Sequence, residues 1–197
     1  MIRRMIQSDS VHVASIHYEV LAGDFLPSLG RSFLRSLYEC IFDLDKGFGF
    51  VSEEDQMVIG AIVAVEDMDH FYRDIFLKCF WTLTSKVIPP ILKRPLLIKQ
   101  LLETLLSSHT RNEGKDVKAE LLFLGVFKPY QRRGIGRGLL EELNKEFSLR
   151  GIKRYVVRVY ADNKGANNFY QKSGFKLQNS YTMYGRKWNL YHYHIDI

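Results

Sequence analysis

The chain has 197 residues, 46% hydrophobic and 25% charged, with 28 Lys and Arg against 22 Asp and Glu for a formal charge of +6. That length supports one substantial core and excludes two full-sized domains, so a single domain over residues 1–197 is expected. The charge suits an acidic ligand, a nucleic acid or an anionic surface and selects none of them. Two cysteines, Cys40 and Cys79, are too few for a disulfide framework and read as core thiols in a reducing compartment. MIRRMIQSDS at the N-terminus lacks an apolar signal region, and no window offers ~18 uncharged apolar residues, so a soluble, cytoplasmic protein is expected.

In chain order, IRRMI (2–6) predicts a first strand, and SDS (8–10) supplies N-cap candidates for a helix carrying Val13, Ile16, Val20 and Leu21 near one face. GDFLPSLG (23–30) interrupts it. A second helix over about 31–42 places Phe33, Leu34, Leu37, Tyr38 and Ile41 at helical spacing. Residues 47–67 read as two antiparallel strands joined at the polar SEEDQ turn. An insertion over about 69–110 follows: two or three amphipathic helices, broken at IPP because Pro89 and Pro90 do not fit a helix interior. SSHTRNEGKDVK (107–118) closes it as a loop.

ELLFLGVF (120–127) is then a strand, residues 135–149 a helix stopped at Gly151, RYVVRVYA (154–161) a strand, NKGANNFYQKSG (163–174) a shorter helix, and the remainder a hairpin. Some strands are hairpin-joined and others alternate with helices. The fold class is therefore α/β in the α+β sense, with a mixed sheet flanked by helices.

One stretch carries most of the chemistry. VFKPYQRRGIGRGLL (126–140) sets three glycines and three arginines between a strand and a helix, where free N–H groups of the first turn favour an anion. Glycines let backbone approach a phosphate closely, and Arg132, Arg133 and Arg137 add charge, so a pyrophosphate is a natural guest. A dinucleotide fingerprint fails because position 139 is Leu, and no Walker A pattern occurs. A tight turn with a solvated basic rim is the other reading of the glycine cluster.

The same residues resemble the acetyl-CoA signature of the GCN5-related N-acetyltransferase (GNAT) family. Val126 and Pro129 lead into the run Gln131, Arg132, Arg133, Gly134, Ile135, Gly136, which falls in register with its [QR]-x-x-G-x-[GA] motif before a helix. NKGANNFYQKSGF resembles the family's second block, N-x-x-A-x-x-x-Y and E-K-x-G-F, through Asn163, Ala166, Tyr170, Lys172, Gly174 and Phe175, with Gln171 in place of Glu. The likeness is loose over 1–67, close over 119–197, and does not reach the insertion. FLPSLGRSFLRSLY and YTMYG further resemble bacterial members that occur with polysaccharide biosynthesis.

The resemblance implies a splayed sheet with pantetheine slotted beside the central strand, where Gly125 suits a bulge or close approach. It implies acetyl-CoA as donor, with main-chain groups of Leu124 and Val126 on pantetheine and Gln131, Arg132, Arg133, Gly134, Ile135, Gly136 and Arg137 around the pyrophosphate. A backbone N–H near Val126 is the implied oxyanion donor. Tyr170 resembles the tyrosine facing the departing sulfur, and Asn163 a helix cap that also contacts the cofactor. Glu120 is the first candidate for the base that an ammonium acceptor requires, with Asp116 and Glu66 behind it.

A primary amine of a small molecule, with an amino sugar as one case, is the expected acceptor, attacked directly in a ternary complex. A catalytically silent acyl-CoA-binding or sensing module is the alternative. Nucleic acid is not expected, since the basic residues gather at one turn. No metal is expected: His192 and His194 share a strand face without a third ligand, and His12, His17, His70 and His109 are scattered, His17 being placed to line the acceptor cleft. The insertion is a candidate lid or homodimer interface, with membrane-surface contact the less expected role.

Overall fold

A computed structural model describes residues 1–44, 47–94, 96–100, 117–183 and 185–195. Its centre is a seven-stranded mixed sheet of β1 (Ile2–Arg4), β2 (Gly47–Glu54), β3 (Met57–Val65), β4 (Glu120–Val126), β5 (Arg154–Tyr160), β6 (Lys176–Met183) and β7 (Arg186–His194). The order is β1-β2-β3-β4-β5-β7-β6, with only β4 and β5 parallel. β2 and β3 turn through Asp55 and Gln56, both at positive φ (50° and 62°), as a two-residue hairpin requires.

Helices α1 (Ser10–Val20), α2 (Phe25–Ser28), α3 (Arg31–Asp43) and α4 (Met68–Lys93) cover one face; α5 (Ile135–Leu149) and α6 (Lys164–Lys172) cover the other. The first core joins Val13, Ile16, Leu34 and Tyr38 to Val51, Val63 and Phe123; the second joins Leu139, Leu143 and Phe147 to Ile62, Tyr155 and Tyr191. β3 is buried from Val58 to Val65 because it is covered on both faces. α5 and α6 each end on a glycine at positive φ, Gly151 (72°) and Gly174 (91°). The next residue's N–H returns to the helix, Ile152 to Phe147 and Phe175 to Tyr170, which satisfies a terminal carbonyl in each case.

Three local expectations are corrected. Asp9 does not cap α1 through its side chain; its carboxylate accepts from the Ile6 N–H (2.8 Å) and from Arg3 (2.7 and 2.9 Å), because a buried charge is held better by a guanidinium than by one amide. Gly125 pairs regularly with Ala61, and the β-bulge lies instead at Leu122, where the β3 register shifts between Val63 and Ala64. Gly125 does meet close packing, since a Cβ there would lie 2.5 Å from the Phe123 ring.

The third correction concerns Pro89 and Pro90, which sit inside α4. Their fixed φ is compatible with a helix, and what they remove is two donors. The carbonyls of Ser85 and Lys86 that lose those donors belong to exposed residues, where water can bond them, and α4 ends soon after at Lys93. The segment after Met68 is therefore one long helix up to Lys93, with residues 97–100 again helical. The expected helix over 96–106 and the loop over 107–118 lie mostly outside the described residues.

Cys40 on α3 and Cys79 on α4 are both buried and free. Burial, then the contact with Cys79, pushes the Cys40 thiol well above its usual range.

Candidate active site

β4 and β5 pair only at Glu120 with Val156 and Leu121 with Val157, and then part. On its other edge β4 stays bonded to β3, with Phe127 N–H donating to the Ile59 carbonyl (2.9 Å) and Gly125 opposite Ala61. Antiparallel alternation then turns the main-chain groups of Leu124 and Val126 away from β3, into the split. Among the described residues no strand pairs with them there. A cleft of about 1730 Å³ runs through this opening, lined by Glu120 to Val126, the glycine turn, β5, α6 and, at its far end, α1, α3 and α4.

The turn is built by backbone conformation. Pro129 starts a short 3-10 turn (Lys128–Tyr130), Gln131 is extended, Arg132 has φ 65°, and Gly134 has φ 79° at the N-cap of α5. A positive φ costs a non-glycine residue about 1 kcal/mol, so Arg132 stores strain that Gly134 avoids. Among the described residues no side chain caps α5, and the N–H groups of Ile135, Gly136 and Arg137 have no helical acceptors at the positive end of the dipole. Gly136 has Phe169 at 3.7 Å from an added Cβ, ordinary contact, whereas Gly138 would meet Ile2 at 2.8 Å and serves to seat α5 against β1.

The polar residues of the signature divide by geometry. Gln131 spends its side-chain amide on the Val126 carbonyl (2.8 Å), which ties the turn to β4. Arg133 lies 3.7 Å from Glu54 and over the Tyr130 ring, and Arg137 bonds Glu141 (3.2 Å). All three arginines are exposed at the rim. Asn163 accepts from the Ala166 N–H (3.0 Å), the cap expected for α6.

Tyr170 reaches the cleft from α6 and is otherwise packed among Phe169, Phe175 and Tyr191. Burial raises its pKa above the usual phenol range. Glu120 stands where the strands part and is nearly buried; Arg158 of β5 donates to its Oε2. Burial opposes the Arg158 charge and Glu120 more than offsets it, leaving the guanidinium pKa raised. Glu66 is bonded instead to Arg150 at the end of α5 and does not line the cleft. Asp116 lies outside the described residues.

His17 does line the cleft, as a locked group: Nδ1 is 2.6 Å from the Tyr38 hydroxyl and the ring stacks on Phe123 at 4.5 Å. Burial lowers its pKa to about 4. His192 and His194 lie ring against ring on β7, and no group of three or more potential metal ligands occurs among the described residues.

Sequence reasoning missed Arg158 and Asn167. Arg158 had a signal, a charge inside the apolar run RYVVRVY, which a strand buried on both faces does not tolerate without a partner. Asn167 had none. Its Nδ2 donates to the carbonyls of Tyr160 (2.8 Å) and Asn163 (2.7 Å), and its Oδ1 accepts from Asn189 (2.7 Å) and Tyr191 (2.8 Å), which fastens α6 to β5 and β7.

A profile described as "Acetyltransferase (GNAT) family" matches residues 99–175, the segment holding β4, the turn, α5, β5 and α6. An acetyltransferase of Sodalis glossinidius is 31% identical over 65 residues, 33% of this chain and 46% of that protein. The ribosomal protein bS18-alanine N-acetyltransferase of Escherichia coli is 40% identical over 58 residues, 29% of this chain and 39% of that enzyme. The chain thus spans less than half the length of these relatives.

Among solved structures, an N-acetyltransferase from Staphylococcus aureus Mu50 superposes with TM-score 0.64 at 15% identity, covering 100% of this chain and 98% of that one. NAA60 of Arabidopsis thaliana, solved in complex with acetyl-CoA, superposes with TM-score 0.60 at 17% identity, covering 99% and 98%. The whole-chain likeness is one of fold, and the residues that build the glycine turn and the parted strands carry the kinship. Residues 99–175 thus match the GNAT acetyltransferase family, and the chain as a whole shares the fold of solved acetyltransferases.

Proposed function

We propose that the protein transfers an acetyl group from acetyl-CoA to the primary amine of a small molecule in the cytoplasm, by direct attack in a ternary complex. The observation that carries this reading is the single cleft that joins the uncapped turn of α5, the opened edge of β4 and the Glu120–Arg158 pair. Main-chain groups of Leu124 and Val126 take pantetheine as an added strand would, and amides 132–137 with the rim arginines take the pyrophosphate.

An alkyl amine with pKa ~10.4 is neutral in only about one molecule in two thousand at pH 7. Glu120, oriented by Arg158, accepts the ammonium proton directly or through a water. The amine nitrogen forms a bond to the thioester carbonyl carbon, whose developing oxyanion is met by a backbone N–H near Val126. The C–S bond breaks, the acetyl group stays on nitrogen, which releases its second proton to solvent water, and the CoA sulfur departs as a thiolate. Tyr170, with its raised pKa, donates a hydrogen bond to that thiolate more readily than a proton.

The acceptor walls, α1 to α4, lie outside the residues matched by the family profile, so the acceptor of the bS18 enzyme is not carried over to this chain. Amino sugars are the first acceptors to test, following the resemblance to bacterial polysaccharide-associated members. Thiol release across amino sugars, polyamines, amino acids and alanine-starting peptides, run beside acetyl-CoA calorimetry, tests the proposal. Release with an amino sugar supports it. Release with the peptides alone overturns the small-molecule assignment, and acetyl-CoA binding without any release favours the silent binding module.

A further inference from the structure

We propose that the outward side of α4 docks in the plane of an anionic lipid surface. α4 is 26 residues long, about 39 Å at the usual rise. Its inner side is committed to the fold: Cys79 and Val87 are buried, and Phe71, Leu83 and Ile91 pack on the same core as α3. A helix packed on one side ordinarily turns polar groups to water on the other.

α4 does not. Leu77 is 70% exposed, Trp81 81%, Ile88 50% and Leu92 79%. Their spacings, four, seven and four residues along the helix, put them in one stripe. Phe76 and Phe80 widen it toward the cleft, and exposed Leu96 extends it past the helix end. Monomeric soluble proteins rarely leave so long an apolar row to water.

Charge selects the occupant. No Asp or Glu occurs between Ile75 and Arg94, while Lys78, Lys86, Lys93 and Arg94 are all exposed, with Lys99 just beyond. A second copy docked through the same face would set these cations against their own kind, because a two-fold interface is self-complementary. Anionic headgroups neutralise them, while the lysine stems lie along the apolar stripe and Trp81 enters the interfacial layer. By length and mean hydropathy (1.3) the helix could by itself cross a bilayer. With its inner side held by α3 and the cleft, it lies in the surface instead. Docking brings the α4 wall of the cleft to the lipid surface.

The test is co-sedimentation of the full chain with phosphatidylcholine vesicles, with and without about 30% phosphatidylglycerol, from about 0.05 to about 0.5 M salt. Binding is expected to the anionic vesicles, at least about tenfold stronger than to neutral ones and falling with salt, with a blue shift of Trp81 emission read in a Trp188→Phe background. Leu77→Ser with Trp81→Ser is expected to abolish vesicle binding and leave thermal stability and acetyl-CoA affinity unchanged, since neither residue lines the cleft. No sedimentation with anionic vesicles, or binding retained by the double variant, overturns the proposal. So does light scattering that shows a dimer which the double variant dissociates, for the face would then belong to a second copy.

Discussion

Arg158 of β5 donates to Glu120 of β4 at the point where the two strands separate, and both side chains are nearly buried, at 13% and 7% exposure. The pair spans the parting of the sheet, where main-chain bonds no longer hold the strands together. It therefore braces the cleft at the point where the sheet opens.

Removing one partner takes from the other its ion pair at a nearly buried position. Arg158→Met is expected to destabilise the fold by about 3 kcal/mol and Glu120→Gln by a comparable amount, with the double variant costing less than the sum. Urea denaturation of the four-member cycle measures this. Additive losses would mean that the pair is not coupled.

Glu120→Gln also bears on catalysis. If Glu120 relays the ammonium proton, kcat/KM falls about a hundredfold or more near pH 7 and recovers as the pH approaches the amine pKa. A uniform loss at every pH assigns Glu120 to scaffolding.

For Tyr170→Phe, kcat is expected to drop while acetyl-CoA affinity stays within about twofold, because in the proposed mechanism the hydroxyl acts on a thiolate that forms only after attack. Calorimetry and initial rates separate the two quantities, and an unchanged kcat removes Tyr170 from the mechanism. Since burial raises the Tyr170 pKa, its ionisation contributes no descending limb to the rate profile in the ordinary phenol range.

At the turn, Gly134→Ala is expected to cost about 1 kcal/mol from its φ of 79°, and Gly136→Ala to be nearly neutral, since its Cβ finds only ordinary contact. Gly134→Glu or Gly136→Glu places an anion at the proposed pyrophosphate site and is expected to abolish acetyl-CoA binding. Wild-type affinity in calorimetry would sink the pyrophosphate assignment.

His17 links stability to pH. Its folded pKa, lowered to about 4 by burial, lies below the ordinary 6.5. Above pH ~6.5 the ring is neutral in both states; below it the unfolded chain binds a proton that the folded chain refuses. Stability is thus lost as pH falls from ~6.5 toward 4, by up to about 3 kcal/mol. His17→Gln should flatten that part of the profile, as denaturation at several pH values would record.

The strand–turn–helix around Gly134 and the capped α6 were legible because their signals are local: a glycine that must take positive φ, an Asn that must meet an N–H three residues on. The course of α4 through Pro89 and Pro90 was not, since whether freed carbonyls are tolerated depends on which side of the helix meets water. The exposed stripe of Leu77, Trp81, Ile88 and Leu92 was equally hidden, because a helix apolar on both sides does not tell its core from its open face.

By itself, then, the sequence determined the order of elements outside the insertion, the mixed sheet and the glycine turn, all of which follow from periodicity and from residues close along the chain. Only the tertiary structure decided that Glu120 meets Arg158 from 38 residues away, that Gln131 holds Val126, that Asn167 binds α6 to the sheet, and that Glu66 turns away from the cleft. Those pairings depend on where the strands part and which side chains are drawn from water together, and no spacing along the chain encodes that.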